Sequence, residues 1–360
     1  MKKVIAMLLV SAMTISLVAC GSSSSSSSSS STTEETEDTE EAEAAEETEA
    51  AETTTDGDVP TIAFVPKVIG QAWWDYVQSG VEEWAETNGI DVIYQGPTST
   101  SAEEQVQIMT DLVNQGIDVL CFSPNDPDAC EEICAQAREQ GIIVITTEAS
   151  GMTNVDYDIE AFDEAGFGAF LMDELAAQMG EEGEYITMVG SLTMESQNNW
   201  ADAAVARQQE AYPNMTLVED ERVENGSDAE KAYELTKELK SKYPDLKGIL
   251  GTGSFDAPGC ARAIEEMGLT GEMFAISCAL PSETADYLKN GTLGSVGLWD
   301  PALSAQVMLS TAVMLYNGET IDTGSDLGYD GYDNVTVDGT VVYGDASLAI
   351  TADNVDDFDF

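Results

Sequence analysis

Histidine is absent from the chain. That removes the commonest general base and a principal metal ligand, and with them most hydrolase triads and zinc centres. Bases are scarce as well: 13 Lys and Arg stand against 68 Asp and Glu, a formal net charge of −55. Such a surface repels nucleic acid and anionic membrane, so neither is expected as a partner. Cysteine is limited to six residues. With Cys20 set aside, Cys121, Cys130, Cys134, Cys260 and Cys278 form an odd set that cannot all pair internally. Cys130 and Cys134 stand i,i+4 on an expected helix, but without histidine or a CxxC they make a poor metal site. The thiols therefore read as small buried hydrophobes, and neither a metal nor a cofactor is expected. No G-x-x-x-x-G-K-[ST] phosphate loop occurs, so the chain is not an ATPase.

No apolar run is long enough for a confident transmembrane span, and the longest has a different meaning. Lys2 and Lys3 form a charged start, and Val4 to Val18 an apolar stretch of signal-peptide type. Leu17-Val18-Ala19-Cys20-Gly21 matches the bacterial lipoprotein signal, which implies removal of residues 1–19 and lipidation at Cys20. Residues 21–58 are a serine run, Ser22 to Ser31, then a Thr/Glu/Ala segment with 13 acids and no base. Nothing there offsets the entropy of ordering, so it reads as a flexible, self-repelling tether. The expected location is the outer face of the cell membrane, held by lipid, in a Gram-positive type of envelope.

The remainder of the chain is organised around residues 62–97. Ile62 to Val65 is a short apolar run of the kind that forms a buried strand, and Pro66 to Gln71 is a turn carrying one lysine, Lys67. Trp74, Val77, Val81, Trp84 and Ala85 then recur at helical spacing up to a stop at Asn88-Gly89, with a second strand over Ile90 to Tyr94. Strand, helix, strand makes a right-handed βαβ unit. Trp73 and Trp74 open its helix. Neighbouring helical positions point about 100° apart, so the two rings are not expected in one core. Trp74 fits the apolar stripe, while Trp73 lies off it, near the crevice beyond the strand's carboxyl end where open α/β sheets bind ligands. Trp73 either covers the helix end or offers an aromatic platform to the apolar face of a sugar ring.

The alternation continues with helices over 102–115 and 129–140 and strands over 119–123 and 142–146. A second series follows, with helices over 162–179, 197–212, 229–243, 257–267 and 282–289. Its strands are expected over 185–189, 216–223, 248–252, 273–277 and 293–298, and one last helix over 302–316. Two consecutive series predict an α/β fold of two doubly wound, Rossmann-like lobes with a cleft between them. The first lobe is expected over 59–159 plus 300–324, the second over 160–299 plus 325–360.

IAFVPK…WW, VIYQGPTST, QVQIMTDLVNQGIDVLCFSPNDP, SQNNW, GLWDP and the closing DNVDDFDF resemble the sugar-type periplasmic binding proteins of ABC importers. Within them the chain is most similar to the branch of autoinducer-2-binding and rhamnose-binding proteins, over essentially all of 60–360. The resemblance implies two lobes joined by three hinge crossings that close on a ligand. Carried over by position, it implies Lys67 for the family's first-turn lysine, Trp73-Trp74 for its aromatic pair and Trp299-Asp300 for its Trp-Asp at the third crossing. Glu148 takes the place of its usual aspartate after the fourth strand. Ser196-Gln197 replaces an Asp-Gln, and Thr252-Gly253-Ser254 a Pro-Asp-Ala turn. The lost acid and altered turn count against autoinducer-2 and leave a polyol cleft.

A site for vicinal hydroxyls needs charged or amide groups and aromatic faces. Lys67, Asn125, Glu148, Gln197, Asn198, Ser254 and Asp256 all fall in turns after expected strands. For Asn125, Ser254 and Asp256 helix capping competes evenly with binding. Trp200 either lines the cleft or packs in the second lobe, and Asp300-Pro301 serves either ligand or hinge. The expectation is a monomeric, non-enzymatic, lipid-anchored protein that captures a pentose, a deoxyhexose such as rhamnose, or autoinducer-2 for an ABC permease with a separate ATPase. A binder coupled to a sensor or chemoreceptor is the alternative, and a two-carboxylate glycosidase has no motif to support it.

Overall fold

The computed structural model describes residues 59–360; the expected signal, Cys20 and the acidic tether lie outside the described residues. The chain begins with β1 (Ile62–Val65), α1 (Ala72–Asn88), β2 (Val92–Tyr94), α2 (Ala102–Gln115) and β3 (Val119–Phe122). α3 (Pro127–Glu139), β4 (Ile143–Thr146) and β5 (Tyr157–Glu160) follow. All residues of β1 and β3 are buried, as expected of central strands in a parallel sheet covered on both faces. Local chemistry sets the boundaries. Gly89 takes the left-handed conformation at φ 66° and closes α1, while the side chains of Ser101 and Asp126 cap α2 and α3.

The second series comprises α4 (Glu164–Met179), β6 (Gly183–Val189), α5 (Glu195–Ala211), β7 (Met215–Leu217), β8 (Val223–Glu224) and α6 (Ala229–Lys242). It continues with β9 (Leu246–Gly251), α7 (Asp256–Met267), β10 (Phe274–Ile276), α8 (Pro281–Lys289) and β11 (Ser295–Leu298). α9 (Pro301–Tyr316), β12 (Thr336–Asp338), β13 (Val341–Tyr343), β14 (Leu348–Thr351) and a 3-10 turn over Val355–Asp357 complete the chain.

Two sheets define the two lobes. One runs β12-β13-β5-β4-β3-β1-β2, the other β10-β9-β6-β7 with β8 beside β6, and β11 pairs with β14 antiparallel. The chain passes between them after β5, at Trp299-Asp300-Pro301 before α9, which packs on α1, and between β13 and β14. At the C-terminus the Phe360 ring stacks on Tyr76 of α1, with centroids 4.7 Å apart, while its carbonyl accepts from Ser282 N–H on α8.

Three expectations change. Residues 336–343, assigned to the second lobe, form a hairpin whose β13 pairs parallel with β5 of the first sheet. Asp338-Gly339 marks the hairpin, but nothing local says which sheet it joins. β5 itself is not among the expected strands, because its buried Asp158 and Glu160 disguise it. The strand expected over 216–223 divides into β7 and β8, interrupted by the polar run Glu219 to Arg222.

Candidate ligand-binding site

The carboxyl ends of strands in both sheets converge on one cavity. From the first lobe come Lys67, Val68 and Gln71 after β1, Trp73 and Trp74 at the head of α1, Thr100 before α2 and Glu148 after β4. The second lobe supplies Met194, Gln197 and Trp200 at the start of α5, Ser227 after β8, Thr252, Ser254 and Phe255 after β9, and Cys278 after β10; Trp299 enters from the crossing. This is the crevice in which open α/β sheets hold ligands.

Its polar floor is an ion pair. Lys67 Nζ lies 2.5 Å from Glu148 Oε2, both side chains nearly inaccessible, and Ser196 Oγ donates to the same oxygen at 2.9 Å. Ser196 belongs to the second lobe, so the carboxylate ties the two lobes together. Glu148 adopts φ 58°, a left-handed conformation unusual for a non-glycine residue.

The walls are aromatic. Trp73 meets Trp299 edge to face at 5.1 Å, and Trp200 meets Trp299 at 5.8 Å and Phe167 at 5.2 Å. Trp73 and Trp74 are both buried and both line the cavity, so the expectation that they part between core and crevice is corrected. The physical reason is that the apolar core under α1 runs on into the crevice, where Trp299 receives Trp73. Trp200 is buried and lines the cavity, satisfying both readings at once.

Eight of the twelve expected residues therefore line the cavity: Lys67, Trp73, Trp74, Glu148, Gln197, Trp200, Ser254 and Trp299. Asn125, Asn198, Asp256 and Asp300 stand behind it. Asn125 Nδ2 donates to the Lys67 carbonyl at 2.7 Å, fixing the lysine's turn, and its own carbonyl accepts from Thr193 of the second lobe at 3.0 Å. Asn198 donates to the Ser191 and Met194 carbonyls and accepts from Arg222. Asp256 accepts from the backbone N–H groups of Thr252 and Gly253 and from Asn225, shaping the turn that carries Ser254, while burial pushes its carboxyl up to about 6. Asp300 caps α9 through Ala302 N–H and Leu303 N–H, and accepts from Tyr76.

Gln71, Met194, Ser227, Phe255 and Cys278 line the cavity and are not among the expected binding residues. Gln71 and Cys278 carry a usable signal, since each follows a strand's carboxyl end. The five cysteines are buried as expected, and all five are free; burial raises the Cys278 thiol well above its ordinary range, keeping it neutral.

Residues 62–320 match the model of the periplasmic binding protein domain. The chain belongs to the periplasmic binding protein family. Such proteins bind and do not catalyse, and the two-lobed α/β architecture is theirs. Among curated relatives, the D-allose-binding periplasmic protein of Escherichia coli is 25% identical over 252 residues, 67% of this chain and 79% of its own length. Among solved structures, LsrB from Clostridium saccharobutylicum in complex with AI-2 superposes with a TM-score of 0.77 at 23% identity, covering 83% of this chain and 100% of that one. A solute-binding protein of an ABC transporter from Clostridium phytofermentas, with bound L-rhamnose, gives 0.75 at 21% identity, covering 83% and 98%. At these identities the structural likenesses speak for the fold. Among the described residues no helix is long and apolar enough to cross a membrane.

Proposed function

We propose that this binding protein captures a small sugar or sugar-like molecule, a pentose, a deoxyhexose such as rhamnose, or autoinducer-2, and delivers it to an ABC permease. It acts as a monomer held by lipid at Cys20 to the outer face of the cell membrane. The observation that carries the reading is the cavity wall. Four of the chain's five tryptophans, Trp73, Trp74, Trp200 and Trp299, line the cavity beside hydroxyl and amide groups. Pockets that mix apolar faces with a few placed polar groups suit small ligands. Indole faces accept the apolar CH side of a sugar ring, and the polar groups read its hydroxyls. The relatives' sugar ligands support the same class. Closure of both lobes around the ligand gives the permease a surface that differs from that of the empty protein.

Thermal unfolding of the purified protein against rhamnose, ribose, xylose, arabinose, galactose, glucose and autoinducer-2 tests this. A ligand at 100 times its dissociation constant stabilises by about 2.7 kcal/mol, enough to raise the midpoint visibly. A selective shift abolished by Trp73→Ala carries the reading. Flat curves across the panel overturn the ligand class. Palmitate labelling lost on Cys20→Ser tests the anchor.

A further inference from the structure

Lys67 and Glu148 are the charged residues among those lining the cavity, and they neutralise each other. A charged ligand would find no free counter-ion there and would lose its hydration for nothing. Two further polar atoms of the lining residues are buried without a partner among the described residues: Trp200 Nε1, a donor from the second lobe, and Gln71 Oε1, an acceptor from the first. Buried polar atoms in folded proteins nearly always have partners, so an exception calls for a reason.

Gln71 has a second property. Its Nε2 donates across the cleft to the Ser227 carbonyl at 3.0 Å. That carbonyl is well anchored. Ser227 sits at φ 54° with its N–H on Asn225 Oδ1 at 2.9 Å, and Asn225 is in turn held by buried Asp256. The amide is planar, so clasping the second lobe with its nitrogen also fixes where its oxygen lies.

We propose that Gln71 Oε1 and Trp200 Nε1–H read a neutral, polyhydroxylated ligand from opposite lobes: one ligand hydroxyl donates to Gln71 and one ligand oxygen accepts from Trp200. Gln71 thereby links recognition to closure, because the amide that meets the ligand is the one that bridges to Ser227. This rests on the cavity being the ligand site, and it adds both the neutrality of the ligand and the two residues that select it.

Calorimetric titration of wild type, Gln71→Ala and Trp200→Phe tests the proposal. The sugars above are set beside glucuronate, glucosamine and ribose 5-phosphate, and each bound sugar beside its monodeoxy analogues. Unfolding midpoints of the free proteins establish that each variant folds; Gln71 lies in a partly exposed turn and provides the test should Trp200→Phe fail to fold. The expected result is a neutral ligand on the wild type, with affinity lower by about tenfold in each variant, as for one lost hydrogen bond to a buried group. One monodeoxy analogue should be weakened on the wild type yet bind Gln71→Ala as well as its parent sugar does. A merely structural role for Gln71 would weaken parent and analogues alike, which overturns the proposal and leaves the sugar reading standing. Variants that match the wild type do the same. Binding of a charged compound alone, or of nothing in the panel, overturns the sugar reading and this inference with it.

Discussion

Lys67 and Glu148 meet at 2.5 Å with side chains only 4% and 8% exposed, and the glutamate holds a left-handed backbone while doing so. A buried pair is costly to break from one side, because the survivor keeps its charge and loses its partner. Glu148→Ala is therefore expected to destabilise the protein by roughly 3–5 kcal/mol in urea unfolding. The double variant Lys67→Met, Glu148→Leu should lose clearly less, since no charge is left stranded. Equal losses in the single and double variants would mean that the backbone at 148, and not the pair, is the constraint.

The protein should become less stable as pH rises from about 5 to 8. Asp158 and Glu160 stand two apart on one face of β5, fully buried, and Glu164 follows at the crossing. Burial pushes Asp158 up to about 6, Glu164 up to about 7 and Glu160 well above its usual range. Thr146 donates to Asp158 at 2.8 Å, and Ser150 and Asn199 donate to Glu164, without reversing this. Each folded-state value exceeds the unfolded one of about 4, so the native state holds these protons more tightly. The stabilisation is complete below about 4 and is lost as pH climbs through 6 and 7. Glu131 and Asp173, held low mainly by hydrogen bonds, act with the opposite sign below their ordinary values, outside that window. Unfolding midpoints should fall between pH 5 and 8, and Asp158→Asn with Glu160→Gln should flatten the slope. Neutralising exposed Glu103 and Asp111 instead measures how much of the slope is general surface repulsion.

These acids also show why part of the fold was not legible. Apolar periodicity and caps such as Ser101 and Gly89 located most helices and strands, because each is decided by a few neighbouring residues. β5 reads Tyr-Asp-Ile-Glu, and only tertiary context buries two carboxylates in it. The site divided in the same way. Being next to a strand's carboxyl end placed Lys67, Glu148 and Gln197 near the crevice. Whether a side chain then faces the cavity or turns back to its own loop is settled by contacts distant in sequence, as with Asn125 and the Lys67 carbonyl, or Asp256 and Asn225. Gln71 follows the carboxyl end of β1, but its bridge to the second lobe does not show in the sequence, because its partner, Ser227, lies 156 residues away.

Asp300 should prove to be a helix cap. It accepts from Ala302 and Leu303 N–H at 2.9 and 3.0 Å and does not line the cavity. Asp300→Ala is expected to cost about 1 kcal/mol of stability, and Asp300→Ser, which retains a capping oxygen, only a fraction of that. Ligand affinity should be unchanged in Asp300→Ser. A large loss of affinity with normal stability would return Asp300 to the ligand.

Gly168 on α4 bears on the cleft without touching it. A Cβ there would lie 2.3 Å from the Trp200 carbonyl oxygen and 2.6 Å from Ala203 Cβ, so α4 and α5 approach as closely as they do only because the position is bare. Overfilling a tight contact typically costs about 1–3 kcal/mol, and Gly168→Ala should fall in that range by urea unfolding. The obstruction is mainly backbone, so trimming the neighbour with Ala203→Gly should not restore the lost stability. The clashing atoms belong to α5, so α5 is expected to move outward to admit the methyl, taking Trp200 with it, edge to face with Trp299 across the cavity wall. Ligand affinity should therefore fall in Gly168→Ala although the substituted atom never reaches the ligand. Unchanged affinity beside the expected loss of stability would show that α4 yields instead of α5, leaving the tryptophan wall in place.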